Sequence, residues 1–164
     1  MKSGVVVFPF GKATQISNQI LGSIASRWAE AKDAQVITHQ NITIKRGIET
    51  TYLGHPEEKN PPSILRISYE VADWAKARHI DKLYVIAISI YMPRCKRDLN
   101  YAFIKTRYLR NFPKIIIPEE EADSLKAIWE CYNSEQRHIN KKKWEKRESL
   151  LMSLPMDVYE FFTL

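Results

Sequence analysis

This sequence has little of several things that usually announce a function. It contains two cysteines, Cys95 and Cys131, and nothing in their spacing suggests a disulfide framework or a thiolate metal site. The four histidines, His39, His55, His79 and His138, stand alone. None forms HxH, HExxH or a Cys/His spacing, so no metal site is expected. With five glycines in 164 residues there is no GxGxxG, and no GxSxG nucleophile elbow occurs. Gly11-Lys12-Ala13-Thr14 is not a P-loop, because that motif would need a glycine at Val6 and a hydroxyl directly after the lysine. No apolar run approaches the roughly 20 residues of a membrane span. Met1 to Gly11 carries one charge and then a short apolar run, which reads as a first strand rather than a signal peptide. Together these absences lead to the expectation of a reducing, cytoplasmic setting without a membrane partner.

What is present describes one globular domain, residues 1–164: 45% of residues are hydrophobic and 27% charged, enough to bury a core without staples. The net charge is +6 and the pI near 9.3, which favours anionic partners. The excess is concentrated in two blocks. Arg94, Lys96, Arg97, Lys105, Arg107 and Arg110 form one; Arg137, Lys141, Lys142, Lys143, Lys146 and Arg147 form the other. The plainest explanation of both is a pair of helices with solvated basic faces.

Apolar patterning sets the order of elements. Val5–Phe10 is a continuous apolar run, as in a central strand covered on both faces. Ile20, Leu21, Ile24, Ala25 and Trp28 recur at helical spacing and predict a helix over 17–31 with Ser17 as its cap. Gln35–Thr38 predicts a short strand, and Ile42–Leu53 an extended segment or irregular hairpin. A loop of three prolines and a glycine, 54–62, precedes Ser63, which caps a helix ending near His79. Lys82–Ile88 is a second buried strand. Pro93 opens a helix whose apolar face is Cys95, Leu99, Ala102 and Phe103. A strand over 114–117 and a helix with Leu125, Ile128, Trp129 and Tyr132 follow. Residues 140–164 read as a basic helix and an apolar tail packing on the domain. The alternation of strand and helix argues for an α/β fold with a mostly parallel sheet and helices on both faces.

Such folds bind ligands where strands run into helices, and two junctions carry suitable groups. At the first, Gly11 lets a phosphate or ribose approach the backbone, with Thr14, Ser17 and Asn18 as hydrogen-bonding groups. An ordinary turn would leave the same residues. At the second, Leu83-Tyr-Val-Ile-Ala-Ile-Ser-Ile-Tyr-Met-Pro-Arg-Cys95, a buried strand opens a basic helix. Arg94 in its first turn, with Arg97 at i+3, suits bidentate capture of a phosphate or carboxylate. The alternative for Arg94 is an ion pair with an acidic side chain from a neighbouring loop. His39, among Thr38, Gln40 and Asn41, either lines the cleft or is a partly exposed loop histidine. Cys95, on an apolar helical face, reads as an inert buried thiol. No paired carboxylates fix a general acid and base.

The stretch Ile86-Ala-Ile-Ser-Ile-Tyr-Met-Pro-Arg-Cys95 resembles the V-T-S-x-Y-H-M-x-R-A segment of the SanA/YdcF-like family, also known as domain of unknown function 218. Met92 and Arg94 match, Tyr91 replaces the family histidine, and Ala87 and Ile88 replace its Thr-Ser pair. Ser63-Ile-Leu-Arg66 resembles the family's S-x-T segment, with Leu65 in place of threonine. The family's Ser-Gly-Gly turn is replaced by Thr38-His39-Gln40-Asn41. The resemblance spans roughly Val5 to Ile117. It implies a Rossmann-like three-layer sandwich with a cleft at the strand C-termini, and nucleotides or S-adenosylmethionine as the ligand classes to expect.

Two functional expectations follow. The first is a domain that binds a small anionic, nucleotide-like ligand through Gly11, Thr14, Ser17, Asn18, His39, Tyr91, Arg94 and Arg97, with no catalytic residue assignable. The second is a nucleic-acid-binding or protein-interaction domain using basic helices 94–110 and 137–147, with Trp144 as a stacking surface.

Overall fold

The computed structural model describes residues 1–10, 16–54, 62–106, 112–135 and 141–164, with the backbone alone for 130–135 and 141. Among the described residues five strands form one sheet: β1 (Ser3–Val7), β2 (Gln35–His39), β3 (Thr50–Leu53), β4 (Lys82–Ile86) and β5 (Lys114–Ile116). Their order is β3-β2-β1-β4-β5, and every pairing is parallel. The long helices are α1 (Ile16–Lys32), α2 (Ile64–Arg78), α3 (Met92–Lys105), α4 (Ala122–Glu135), α5 (Lys141–Ser153) and α6 (Met156–Thr163). The chain first steps from β1 to β2 in one direction, then returns across the sheet to β4 and β5 in the other. Right-handed crossovers therefore put α1 on one face and α2 and α3 on the opposite one. Helix α4 packs beside α1, and α6 against α2. This is a three-layer, Rossmann-like α/β sandwich.

The apolar runs explain the layers. Val5, Val6, Val7, Val36, Ile37, Leu83, Val85 and Ile86 are buried to within 1% of full coverage, because helices cover both faces of the central strands. Helix α2 starts at Ser63, whose Oγ accepts the Arg66 N–H at 3.1 Å, and ends at His79 in the left-handed conformation. Trp74 donates its Nε1–H to Thr51 Oγ1 at 3.1 Å, fastening α2 to the edge strand β3.

Of the two expectations for Ile42–Leu53, an extended segment or an irregular hairpin, the hairpin does not form and only the last four residues are an extended strand. Residues 42–49 form a loop over α1, and only Thr50–Leu53 pairs, in parallel with β2. The loop is held by a close approach: a Cβ at Gly22 would lie 2.2 Å from the Thr43 carbonyl oxygen. One turn on, Ser26 Oγ donates to the Gly22 carbonyl and accepts the Lys45 N–H at 2.9 Å. The helix–loop contact therefore requires a residue without a side chain at position 22.

Gly22→Ala is expected to destabilise the fold by about 1–3 kcal/mol, as other overpacked sites do. Thermal unfolding should show a fall of roughly 2–4 °C for each kcal/mol lost in a chain of this size. An unchanged midpoint would mean that the 42–46 loop moves away at no cost.

Candidate functional site

The strand order reverses between β1 and β4, and the crevice beyond their C-terminal ends is the place where this fold takes ligands. Helices α1 and α3 begin there. Gly11 and Thr14, the first two candidate ligand residues, lie outside the described residues.

Ser17 is the second residue of α1 and not its cap, because the helix already begins at Ile16. Its side chain is inside, 6% exposed, and among the described residues its Oγ has no hydrogen-bond partner. Asn18 is fully buried, and its Oδ1 accepts the backbone N–H of Phe10 at 2.7 Å, tying the segment that follows β1 to α1. His39 is the last residue of β2 and 1% exposed, so it is no loop histidine. Its Nδ1 accepts the Asn41 N–H at 3.3 Å.

On the other side of the crevice, Tyr91 precedes α3 and is half-buried in an aromatic cluster. Its ring lies 5.1 Å from that of Phe10 and 6.2 Å from that of Trp144 on α5; Phe10 also meets Trp129 and Trp144, each at 5.9 Å. Helix α5 thus lies over the end of β1 and the start of α3. Burial pushes the Tyr91 phenol well above its usual pKa, with the Glu148 carboxylate adding to the rise.

Arg94 is 7% exposed and does pair with an acid, but one from a distant helix and not from a neighbouring loop. Its Nε and Nη2 donate to the two oxygens of Glu148, both at 2.7 Å, in the parallel geometry that guanidinium and carboxylate prefer. Glu148, on α5, is itself only 6% exposed. Arg94 Nη1 also donates to Tyr159 Oη at 3.3 Å, and that hydroxyl donates to Asp98 Oδ2 at 2.6 Å. Arg97 completes the network. Its Nε and Nη2 each donate to Asp98 Oδ1 at 3.0 Å, its Nη1 donates to the carbonyls of Leu151 and Met152 at the end of α5, and its guanidinium lies 4.4 Å from the centre of the Tyr159 ring.

Two cations and two anions therefore balance around Tyr159, whose side chain is fully buried. Burial, together with the Asp98 carboxylate, pushes the Tyr159 phenol up to about 12, so it holds its proton at neutral pH. Burial raises the Asp98 carboxyl despite the three donors aimed at it. It also pushes the Cys95 thiol well up, as an inert thiol on an apolar helical face requires. The sequence pointed to Arg94, Arg97 and Tyr91. It gave no sign of Asp98, Glu148 or Tyr159, whose roles come from contacts across 54 to 65 residues of chain.

A second polar tie holds α6. Glu160 accepts the hydroxyls of Tyr69 on α2 at 2.6 Å and Tyr101 on α3 at 2.9 Å. The apolar tail expected to pack inward does so only in part: Phe161 and Phe162 are 83% and 73% exposed. Of the basic blocks, Lys96, Lys105, Lys142, Lys143, Lys146 and Arg147 are exposed, and Arg107, Arg110 and Arg137 lie outside the described residues. Trp144 turns inward, with Arg147 5.2 Å from the centre of its ring. Among the described residues no group of three potential metal ligands comes together, and no helix is long and apolar enough to cross a membrane.

Arg94→Met would leave the Glu148 carboxylate without its partner and cost up to about 3–5 kcal/mol, whereas Arg94→Met with Glu148→Met should recover most of the loss. Urea denaturation of the two single variants and the double one measures this coupling. Glu160 gives a pH test. The Tyr69 hydrogen bond, followed by that from Tyr101, holds its carboxyl below the ordinary 4.5, though burial opposes this. Its contribution is full above the unfolded value and is lost as pH falls through the lower folded value. The stability difference between the wild type and Glu160→Gln, followed from pH 7 downward, should stay constant to about pH 5 and shrink below that.

Compared with family models and with curated proteins, the chain matches none of them.

Proposed function

We propose that this domain binds a small anionic, nucleotide-like ligand in the crevice beyond the C-terminal ends of β1 and β4. The observation that carries the reading is the placing of Arg94 in the first turn of α3, beside the point of strand reversal and facing a bidentate carboxylate. A helix N-terminus and a guanidinium attract the same charge, so an anion there meets both. Across the crevice the buried Ser17 hydroxyl, without a described partner in the first turn of α1, supplies a polar group suited to a ribose or phosphate oxygen. The resemblance to the SanA/YdcF-like family makes nucleotides and S-adenosylmethionine the first ligands to try, in a cytoplasmic setting. Arg94 would hold the anionic group and Tyr91 would meet the ligand from the side. No described group is arranged as nucleophile and base, so the proposal is one of binding.

A second reading has one observation in its favour. Lys142, Lys143, Lys146 and Arg147 all lie exposed on α5, a face suited to the phosphates of a nucleic acid. Trp144, packed against Phe10 and Tyr91, offers no free stacking surface for it.

A thermal-shift series with nucleotides, S-adenosylmethionine and a single-stranded oligonucleotide separates the two. A crevice ligand at about 100 times its dissociation constant should stabilise the protein by roughly 2.7 kcal/mol, and Arg94→Lys should weaken the effect. A shift produced by the oligonucleotide alone, and abolished by moderate salt, would favour the α5 surface instead.

A further inference from the structure

We propose that Glu148 is a built-in stand-in for the anionic group of the ligand, and that α5–α6 is a latch which the ligand displaces. This rests on the crevice-binding reading given above. The ligand class it names is an anion with two oxygens side by side, a carboxylate or a phosphate.

The argument starts from the shape of the Arg94 contact. Two parallel hydrogen bonds of 2.7 Å to two oxygens of one group are how a guanidinium receives an external carboxylate or phosphate. Here the group comes from α5, which also lays Trp144 against Phe10 and Tyr91 at the mouth of the crevice. The latch and the ligand thus require the same arginine and the same space. One conformer excludes the other.

What fastens the latch is mostly polar. Arg94 holds Glu148, Arg97 holds the carbonyls of Leu151 and Met152, Asp98 holds Tyr159, and Tyr69 and Tyr101 hold Glu160. The apolar residues of these helices mostly face outward: Leu150, Met152, Val158, Phe161 and Phe162 are exposed. Tyr159 is the only α6 side chain that is fully buried. A buried ion pair contributes little net stability, because desolvation offsets the attraction, yet removing one partner outright is costly. Exchanging one anion for another avoids that cost. An arriving carboxylate or phosphate restores the Arg94 fork while Glu148 returns to water. The differential affinity needed to move the equilibrium then resides in the ligand's remaining contacts.

The test is calorimetric titration of the full chain with pyrophosphate and, separately, with citrate, together with hydrogen exchange of the α5–α6 amides. Glu148→Gln keeps the shape of the side chain and removes its charge. It should bind one of the two anions at least about tenfold more tightly than the wild type, a difference of ~1.4 kcal/mol. The anion that gains identifies the group as phosphate or carboxylate. In the wild type, saturating anion should speed exchange in α5–α6 while leaving the β1 and β4 amides protected. Tyr159→Phe keeps every charge and removes both hydrogen bonds of that hydroxyl, to Asp98 and from Arg94, which loosens α6 for a gain of about tenfold. It carries the test should Glu148→Gln fail to fold. Equal affinity in wild type and variants, or binding with α5–α6 exchange unchanged, overturns the latch and leaves the crevice as a binding site. Binding of neither anion to any of the proteins overturns both.

Discussion

The contact on which the arrangement of this molecule depends is the fork between Arg94 and Glu148. It joins the first turn of a helix at the centre of the fold to a helix near the end of the chain, with both partners withdrawn from water. An isolated guanidinium in that position would be costly, the more so because it sits at a helix N-terminus, where the backbone field disfavours a cation. A carboxylate answers both problems, neutralising the side chain and complementing the helix end. Supplying that carboxylate from within fastens α5 to the start of α3, while Arg97 holds the end of α5 and Asp98, Tyr69 and Tyr101 hold α6.

The sheet prepares this contact. With the order β3-β2-β1-β4-β5, the two neighbouring central strands send their chains to opposite faces, and no helix of the βαβ units crosses the gap between them. An element from elsewhere in the chain can fill the space. Trp144, Tyr91, Phe10 and Trp129 fill it with ring edges and faces, and polar groups line its α3 side. The Arg94 guanidinium lies 5.1 Å from the centre of the Tyr91 ring, so the aromatic cluster and the ionic network meet at that point.

Much of this was legible in the residues. The Val5–Phe10 and Lys82–Ile88 runs fit strands of a sheet covered on both faces, and Ser63 marked its helix by the hydroxyl that caps it. Arg94 stood out because its junction is local: strand, turn and helix lie within a dozen residues. Its partner did not, since Glu148 follows Glu145 in a run of lysines and arginines where an acid looks like an ordinary surface residue. Tyr159 was hidden for the opposite reason, lying among Val158, Phe161 and Phe162, which share its apolar character but face water. The Ile42–Leu53 segment stays open between an extended segment and a hairpin on sequence alone, because its weak alternation fits any extended chain. Its parallel pairing is decided by β2, and its path by the bare backbone at Gly22. In each case the deciding partner lay far along the chain, where neither periodicity nor local motif reaches.

The brevity of the outer strands has a consequence of its own. β3 spans four residues and β5 three, and Lys114 opens the latter. The rims of the sheet therefore offer only a short row of unpaired backbone groups, interrupted by a charge. A stray extended peptide finds too little there to add itself as a sixth strand, so a sheet whose central strands are rich in buried valine, isoleucine and leucine is guarded against edge-to-edge aggregation.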